Sequence, residues 1–226
     1  MHYTYILINI LAVLLPFGFS FEKRISFYRK WKYLFPAICI TAFIFILWDI
    51  WFTSLGVWYF NPKFITGITI INLPFEEVLF FLAIPYASMF LYEVLIQKVF
   101  TSSSKLRYNY ISLLISILLI IIACFNLNKA YTFSSFFLCG GYIGFLFMRK
   151  SKVLHYFFLY FLILIIPFVI VNGMLTGSFL NREVVGYNNM ENFNIRFLTI
   201  PIEDFIYGML MMLLNVSLYE YFKSRY

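Results

Sequence analysis

Leu73-Pro74-Phe75-Glu76-Glu77 and Ile200-Pro201-Ile202-Glu203-Asp204 are the two stretches on which the fold turns. Each sets a proline between apolar residues, follows them with two adjacent carboxylates, and opens a long apolar run. They stand 127 residues apart, and at the same offset Leu91-Tyr92-Glu93 recurs as Leu218-Tyr219-Glu220. Carboxylates beside hydrocarbon are costly. A chain that carries such a pair twice, in matching positions, points to a use for it.

Around these stretches the chain is strongly apolar. Of its 226 residues 63% are hydrophobic and 12% charged, which excludes an ordinary soluble domain and a disordered chain. A helix that crosses a bilayer needs roughly 20 apolar residues, and seven runs approach that length: about 3–21, 33–51, 74–97, 109–126, 131–148, 154–172 and 201–221. The connections are short. The expectation is an all-α integral membrane bundle of about seven transmembrane helices, a single domain over 1–226. The opening Met1-His2-Tyr3-Thr4-Tyr5 lacks the basic start of a cleaved signal peptide, so the first helix is expected to be retained. Cys39, Cys124 and Cys139 lie in apolar runs without metal-ligand spacing and read as buried structural thiols.

The net charge of +7 is a matter of orientation. Lys23, Arg24, Arg29, Lys30 and Lys32 follow the first helix. Lys98, Lys105 and Arg107 follow the third, Arg149, Lys150 and Lys152 the fifth, and Lys223 and Arg225 the seventh. The alternate loops hold only Lys63, Lys129, Arg182 and Arg196. The positive-inside rule puts the basic loops in the cytoplasm. The N-terminus is then outside, the C-terminus inside, and both carboxylate motifs lie at one depth near the outer face of the cell membrane. The basic excess is thus a membrane-orientation signal, with attraction to anionic lipid as an addition, and needs no nucleic acid to explain it.

Helices 1–3 and 5–7 share one plan: a basic inner loop, a longer outer loop, then the proline-carboxylate motif. They read as parallel repeats, half A over 1–97 and half B over 131–226, joined by a linking helix at about 109–126. Such repeats share a site at their interface. Asp49 in half A stands where Asn172 stands in half B. Gly140-Gly141-Tyr142-Ile143-Gly144 reads as a close helix contact, and Pro85 and Pro167 as mid-helix kinks.

Proline followed by acids is also an ordinary helix start. Two copies of a paired acid at the bilayer edge favour function over capping. Carboxylates crowded in low dielectric cannot all ionise, which supports one protonated acid beside one ionised base. The candidate catalytic residues are therefore Glu76, Glu77, Glu203 and Asp204. Asp49, Trp48, Trp58, Phe75, Asn172 and Tyr207 are candidates for binding substrate, the aromatic rings by facing a cation. Glu93 and Glu220 lie about 24 Å further along their helices and read as structural partners of Lys98 or Lys223. No dinucleotide fingerprint or metal-ligand cluster is present, so no cofactor and no metal are expected.

The two Pro-x-Glu-(Glu/Asp) motifs, with Trp48-Asp49, Gly56-Val57-Trp58 and Asn61, Asn172-Gly173 and Leu175-Thr176-Gly177, resemble the membrane-integral lycopene cyclases. In that cofactor-free class the two halves occur as separate small subunits or as one fused chain, and this chain resembles the fused form throughout its length. The resemblance implies roles for Glu76, Glu77, Glu203 and Asp204. It implies redox-neutral closure of the acyclic ends of lycopene to β-rings, with lycopene and membrane lipid as partners alongside other enzymes of the carotenoid pathway. Two rival readings are an intramembrane prenyltransferase and a proton-coupled transporter. The first is disfavoured by having only Asp49 and Asp204, far apart, where an Asp-rich Mg²⁺ motif is needed. The second is disfavoured by acids crowded at one edge.

Overall fold

The computed structural model describes residues 2–98 and 109–225; Lys105 and Arg107 of the charge pattern lie outside the described residues. Among the described residues seven α-helices form the bundle: α1 Thr4–Phe19, α2 Trp31–Ser54, α3 Phe75–Lys98, α4 Asn109–Cys124, α5 Ala130–Met148, α6 Leu154–Thr176 and α7 Ile202–Arg225. Helices α2, α3, α5, α6 and α7 are long and apolar enough to cross a membrane. α1 and α4 have 16 residues each, roughly 24 Å of helix against a hydrocarbon layer of roughly 30 Å. The outward faces are apolar, with Leu7, Leu14, Phe43, Leu47, Leu162 and Ile166 all exposed. A continuous apolar perimeter of this kind suits lipid.

α6 runs one turn past its expected end at residue 172. Thr176 Oγ1 donates back to the Asn172 carbonyl at 2.9 Å, and Gly177, at φ 100°, ends the helix in a left-handed cap. The glycine run in α5 is a close contact. Side chains at Gly140 and Gly144 would strike Ser116 of α4, whose Oγ donates to the Gly140 carbonyl at 2.7 Å. Cys139 is buried, but Cys39 and Cys124 face outward. Both lie on helices whose apolar surface meets lipid, where a small hydrophobic thiol needs no burial in protein.

The loops at one end fold into three short antiparallel ladders that the apolar periodicity did not announce. β1 Trp58–Phe60 pairs with β4 Val185–Tyr187, β2 Thr69–Ile70 with β3 Leu73–Pro74, and β5 Arg196–Phe197 with β6 Ile200–Pro201. β2–β3 and β5–β6 are two-residue hairpins that lead straight into α3 and α7. Each turn puts a bulky residue at positive φ, Ile71 at 61° and Leu198 at 56°, a strained conformation outside glycine. Tertiary contacts hold both turns. Asn72 Nδ2 donates to the Ile50 carbonyl of α2 at 2.8 Å, and Thr199 Oγ1 lies 2.7 Å from Thr176 Oγ1 of α6.

Contacts recur at the 127-residue offset. Phe75 N donates to Ile68 O, and Ile202 N to Ile195 O. Between the β1 and β4 segments the pattern is reciprocal: Asn61 N donates to Val184 O and Asn188 N to Val57 O, both at 2.8 Å, with Tyr59 opposite Gly186 in the ladder. At the far end of the bundle Tyr92 donates to Glu220, and Tyr219 to Glu93. Reciprocal exchange of this kind is what a two-fold relation produces. The buried Glu93 carboxylate takes Lys30 and Lys223 as ion-pair partners rather than Lys98.

Candidate active site

Adjacent residues on a helix point about 100° apart, so each acid pair at the start of α3 and α7 divides between two surroundings. The first member turns into the loop layer. Glu76 Oε1 accepts the Thr66 backbone N–H at 2.6 Å, and Glu203 Oε1 accepts the Phe193 N–H and the Thr132 hydroxyl, both at 2.7 Å. These donors belong to the incoming loops and to α5, so neither acid serves as a simple cap on its own helix. Both carboxyls are fully buried and clamp the loop above them.

The second member faces the bundle interior. Glu77 Oε2 accepts the Tyr5 hydroxyl of α1 at 2.5 Å. Asp204 receives three donors: Tyr131 of α5 at 2.6 Å on Oδ1, then Asn172 Nδ2 of α6 at 2.7 Å and Tyr187 of β4 at 2.8 Å on Oδ2. Burial, then the neighbouring Asp204 charge, push the Tyr187 phenol well above its ordinary range, so it remains a proton-bearing donor.

Glu77 and Asp204 both line a cavity of about 530 Å³, together with Asp49, Trp58, Asn172 and Tyr207. The charges of Asp49 and Glu77 lie close enough to interact, as do those of Glu77 and Asp204. Among the described residues no lysine or arginine pairs with any of the three. Asp49 Oδ2 and the Tyr207 hydroxyl are buried without a hydrogen-bond partner among the described residues. Aromatic rings enclose the Asp204 side. Trp58 meets Tyr131 edge-on at 5.2 Å, Tyr131 stacks on Tyr187 at 6.0 Å, and Tyr207 stands 6.1 Å from Tyr131. Beyond this polar end the walls are mostly apolar, chiefly Leu, Ile, Phe, Met, Ala and Pro, with Ser88 the polar exception among the described residues.

The cavity thus gathers Glu77, Asp204, Asp49, Trp58, Asn172 and Tyr207 of the expected site. Glu76, Glu203, Trp48 and Phe75 stand off it. Trp48 packs edge-on against Tyr207 at 5.1 Å, one layer behind the wall. Phe75 begins α3 and donates its backbone N–H into the hairpin at Ile68. Tyr5, Tyr131 and Tyr187 were not anticipated. Tyr5 and Tyr131 occupy the first turns of α1 and α5, 126 residues apart, so the repeat offset carried a signal for both. Tyr187 comes from a loop strand and had none.

No curated protein and no solved structure matches the chain. The sequence model of the lycopene cyclase family matches residues 2–95 and 128–222, two stretches that leave out the segment around α4 and start 126 residues apart. With five bilayer-length helices and a carboxylate-lined apolar cavity between its matched stretches, the chain belongs to the lycopene cyclase family, membrane enzymes of carotenoid cyclisation.

Proposed function

We propose that this protein closes the acyclic ends of lycopene to β-rings by proton addition and proton loss, with no net redox change, Glu77 serving as acid and Asp204 as base. The observation that carries the reading is the unequal supply of donors to two carboxyls in one apolar cavity. Three donors aimed at Asp204 fit an anion. Glu77 meets a single phenol and has Asp49 for a neighbour, surroundings that suit a carboxyl carrying a proton. The protonated carboxyl adds H⁺ to the terminal double bond and leaves a tertiary cation. The electron pair of the next reachable double bond closes the six-membered ring and moves the cation into it. Asp204 removes a ring proton, and that electron pair becomes the ring double bond. One proton enters and one leaves, so product and substrate are isomers.

The apolar walls exclude water that would trap the cation, and the faces of Trp58, Tyr131 and Tyr207 stabilise it. Tyr187 and Asn172 orient the base. Contacts that recur at the 127-residue offset support two parallel halves, 1–97 and 131–226, joined by the segment at about 109–126. The distribution of Lys and Arg supports an outside N-terminus and a cytoplasmic C-terminus in the cell membrane.

Expression in a lycopene-accumulating bacterium tests the reading. The expected product is isomeric with lycopene and carries β-rings. In deuterated water each ring gains one solvent deuterium. Unchanged lycopene with the protein present in the membrane would overturn the assignment.

A further inference from the structure

The two hairpins that lead into α3 and α7 correspond in backbone and in what they expose. Gly67 and Asn194 stand 127 residues apart, both at positive φ, and so do Ile71 and Leu198. Ile68, Ile70 and Ile71 are all exposed, and at the same offset so are Ile195, Phe197 and Leu198. The tips stand out furthest, Ile71 at 78% and Leu198 at 60% exposure. A bulky residue at positive φ is an outlier, and a turn facing water takes glycine or asparagine there. These tips keep apolar side chains in both halves, at the cost of backbone strain. The cation of the second hairpin is folded away from its tip: Arg196 donates to the Thr199 carbonyl at 2.7 Å and to Asn189 Oδ1 at 2.9 Å.

Depth and surroundings say what covers the tips. Asn72, next to the first tip, donates to the Ile50 carbonyl of α2. Ile50 lies 18 residues beyond Lys32, roughly 27 Å along the helix. Thr199, next to the second tip, meets Thr176, 22 residues beyond Leu154 at the start of α6, roughly 33 Å along it. The hydrocarbon layer is roughly 30 Å thick, and Lys30, Lys32 and Lys152 mark its near edge. Both tips therefore stand at its far edge. Trp51 and Leu55 on the last turns of α2 are exposed, as are Ile170 on α6 and Phe179 just after it. Phe197 meets Phe205 of α7 edge-on at 6.2 Å, and Phe205 packs on Phe168 of α6 at 5.0 Å. The lipid-facing perimeter of the bundle thus continues onto the hairpins.

We propose that both hairpins insert their apolar tips among the acyl chains of the leaflet at the acid-bearing end, and so anchor the starts of α3 and α7. Burial of Ile71 and Leu198 in lipid offsets the strain of their backbone, which contact with water would not. Each hairpin is fastened to the helix behind it, Phe75 N–H to Ile68 O at 2.8 Å and Ile202 N–H to Ile195 O at 3.1 Å. The next residues are Glu76 and Glu203, so a tip held at a fixed depth holds an acid pair at a fixed depth. The proposal stands apart from the cyclase reading.

The test uses the full-length chain in phosphatidylcholine vesicles, with the exposed thiols removed by Cys39→Ala and Cys124→Ala. A nitroxide is attached at Ile71→Cys, at Leu198→Cys and, as a water-facing reference, at the exposed Lys63 by Lys63→Cys. Electron paramagnetic resonance then compares collisions with oxygen, which dissolves in hydrocarbon, and with a water-soluble nickel chelate. The oxygen-to-nickel ratio at both tips is expected to exceed that at Lys63 about tenfold, as for a group immersed below the headgroups. Ile68→Cys and Ile195→Cys, on the flanks of the turns, are expected to agree, and serve where a tip variant does not fold. A ratio equal to that at Lys63 would place the tips in water and overturn the proposal. Exclusion of both reagents, with spin–spin broadening that vanishes on dilution with unlabelled protein, would mean that a second copy covers the tips, and would overturn it equally.

Discussion

The Glu77 side and the Asp204 side of the cavity are built on one plan and differ in chemistry. Each acid is the second of a pair and the third residue of a helix that leaves a strained hairpin. Each accepts a tyrosine from the first turn of a partner helix, Tyr5 or Tyr131. The divergence lies in the third element. Half B offers Asn172, whose amide donates to Asp204, and adds Tyr187 from β4. Half A offers Asp49 at the matching place, an acid facing an acid, with one oxygen unpartnered among the described residues. Two similar settings thus leave one carboxyl surrounded by donors and the other beside a second acid. That is the division of labour which acid/base catalysis in one pocket needs.

The largest expected effect comes from removing either carboxyl. Glu77→Gln has no proton to give and is expected to abolish ring formation, a loss of about 10²–10⁴-fold for a general acid. Asp204→Asn should lose a comparable amount of β-ring product. Its residual product should show a displaced ring double bond or a hydroxyl, because the cation still forms and finds another exit. Chromatography of the carotenoids with NMR of any residual ring separates the two. Identical product spectra from both variants would break the assignment of acid and base.

The next effect comes from exchanging the third elements. Asn172→Asp gives Asp204 the acidic neighbour that Glu77 has, and Asp49→Asn gives Glu77 the amide that Asp204 has. Asn172→Asp removes an amide donor from a charged carboxylate, an effect of about 1.5–3 kcal/mol, or roughly 10–100-fold in rate, and Asp49→Asn removes the acid beside Glu77 and should lower activity by making ionised Glu77 easier to form. The double exchange should not restore the wild-type rate, since Tyr187 serves one side only. Full recovery would show that the halves are interchangeable. Tyr187→Phe removes one of three donors and is expected to cost about tenfold. The loss should be equal from pH 6 to about pH 10, because a phenol held above its ordinary range keeps its proton through that window. A loss confined to one limb of the pH profile would mean that Tyr187 itself titrates.

The seven helices were legible because bilayer-length apolar runs are coarse signals. The motifs Pro74-x-Glu76-Glu77 and Pro201-x-Glu203-Asp204 were legible as they stand, and each falls within one of the two stretches that the family model matches. The division within each pair was not legible. Glu76 and Glu77 are identical in type, and only the helix rotation sends one to Thr66 and the other to the cavity. The ladders were hidden because strands of two or three residues carry no periodicity. Tyr187 reaches Asp204 only through the pairing of β4 with β1, a contact between loops of different halves.

The smallest expected effect is the sharpest test of that division. Glu76 and Glu203 accept hydrogen bonds from loop N–H groups, and glutamine keeps an acceptor oxygen in the same place. Glu76→Gln and Glu203→Gln should therefore lower activity per folded molecule by no more than about tenfold, far less than the same change at Glu77. Glu203→Ala removes the acceptor and leaves the Phe193 N–H and the Thr132 hydroxyl unpaired in a buried setting. It should lose about 1–3 kcal/mol of stability, seen as a lower unfolding temperature in detergent, while the protein that remains folded still cyclises lycopene. If Glu203→Gln were as inactive as Asp204→Asn with an unchanged unfolding temperature, both members of the pair would have to reach the substrate. The cavity that divides them would then be only one state of a site whose loop layer opens during the reaction.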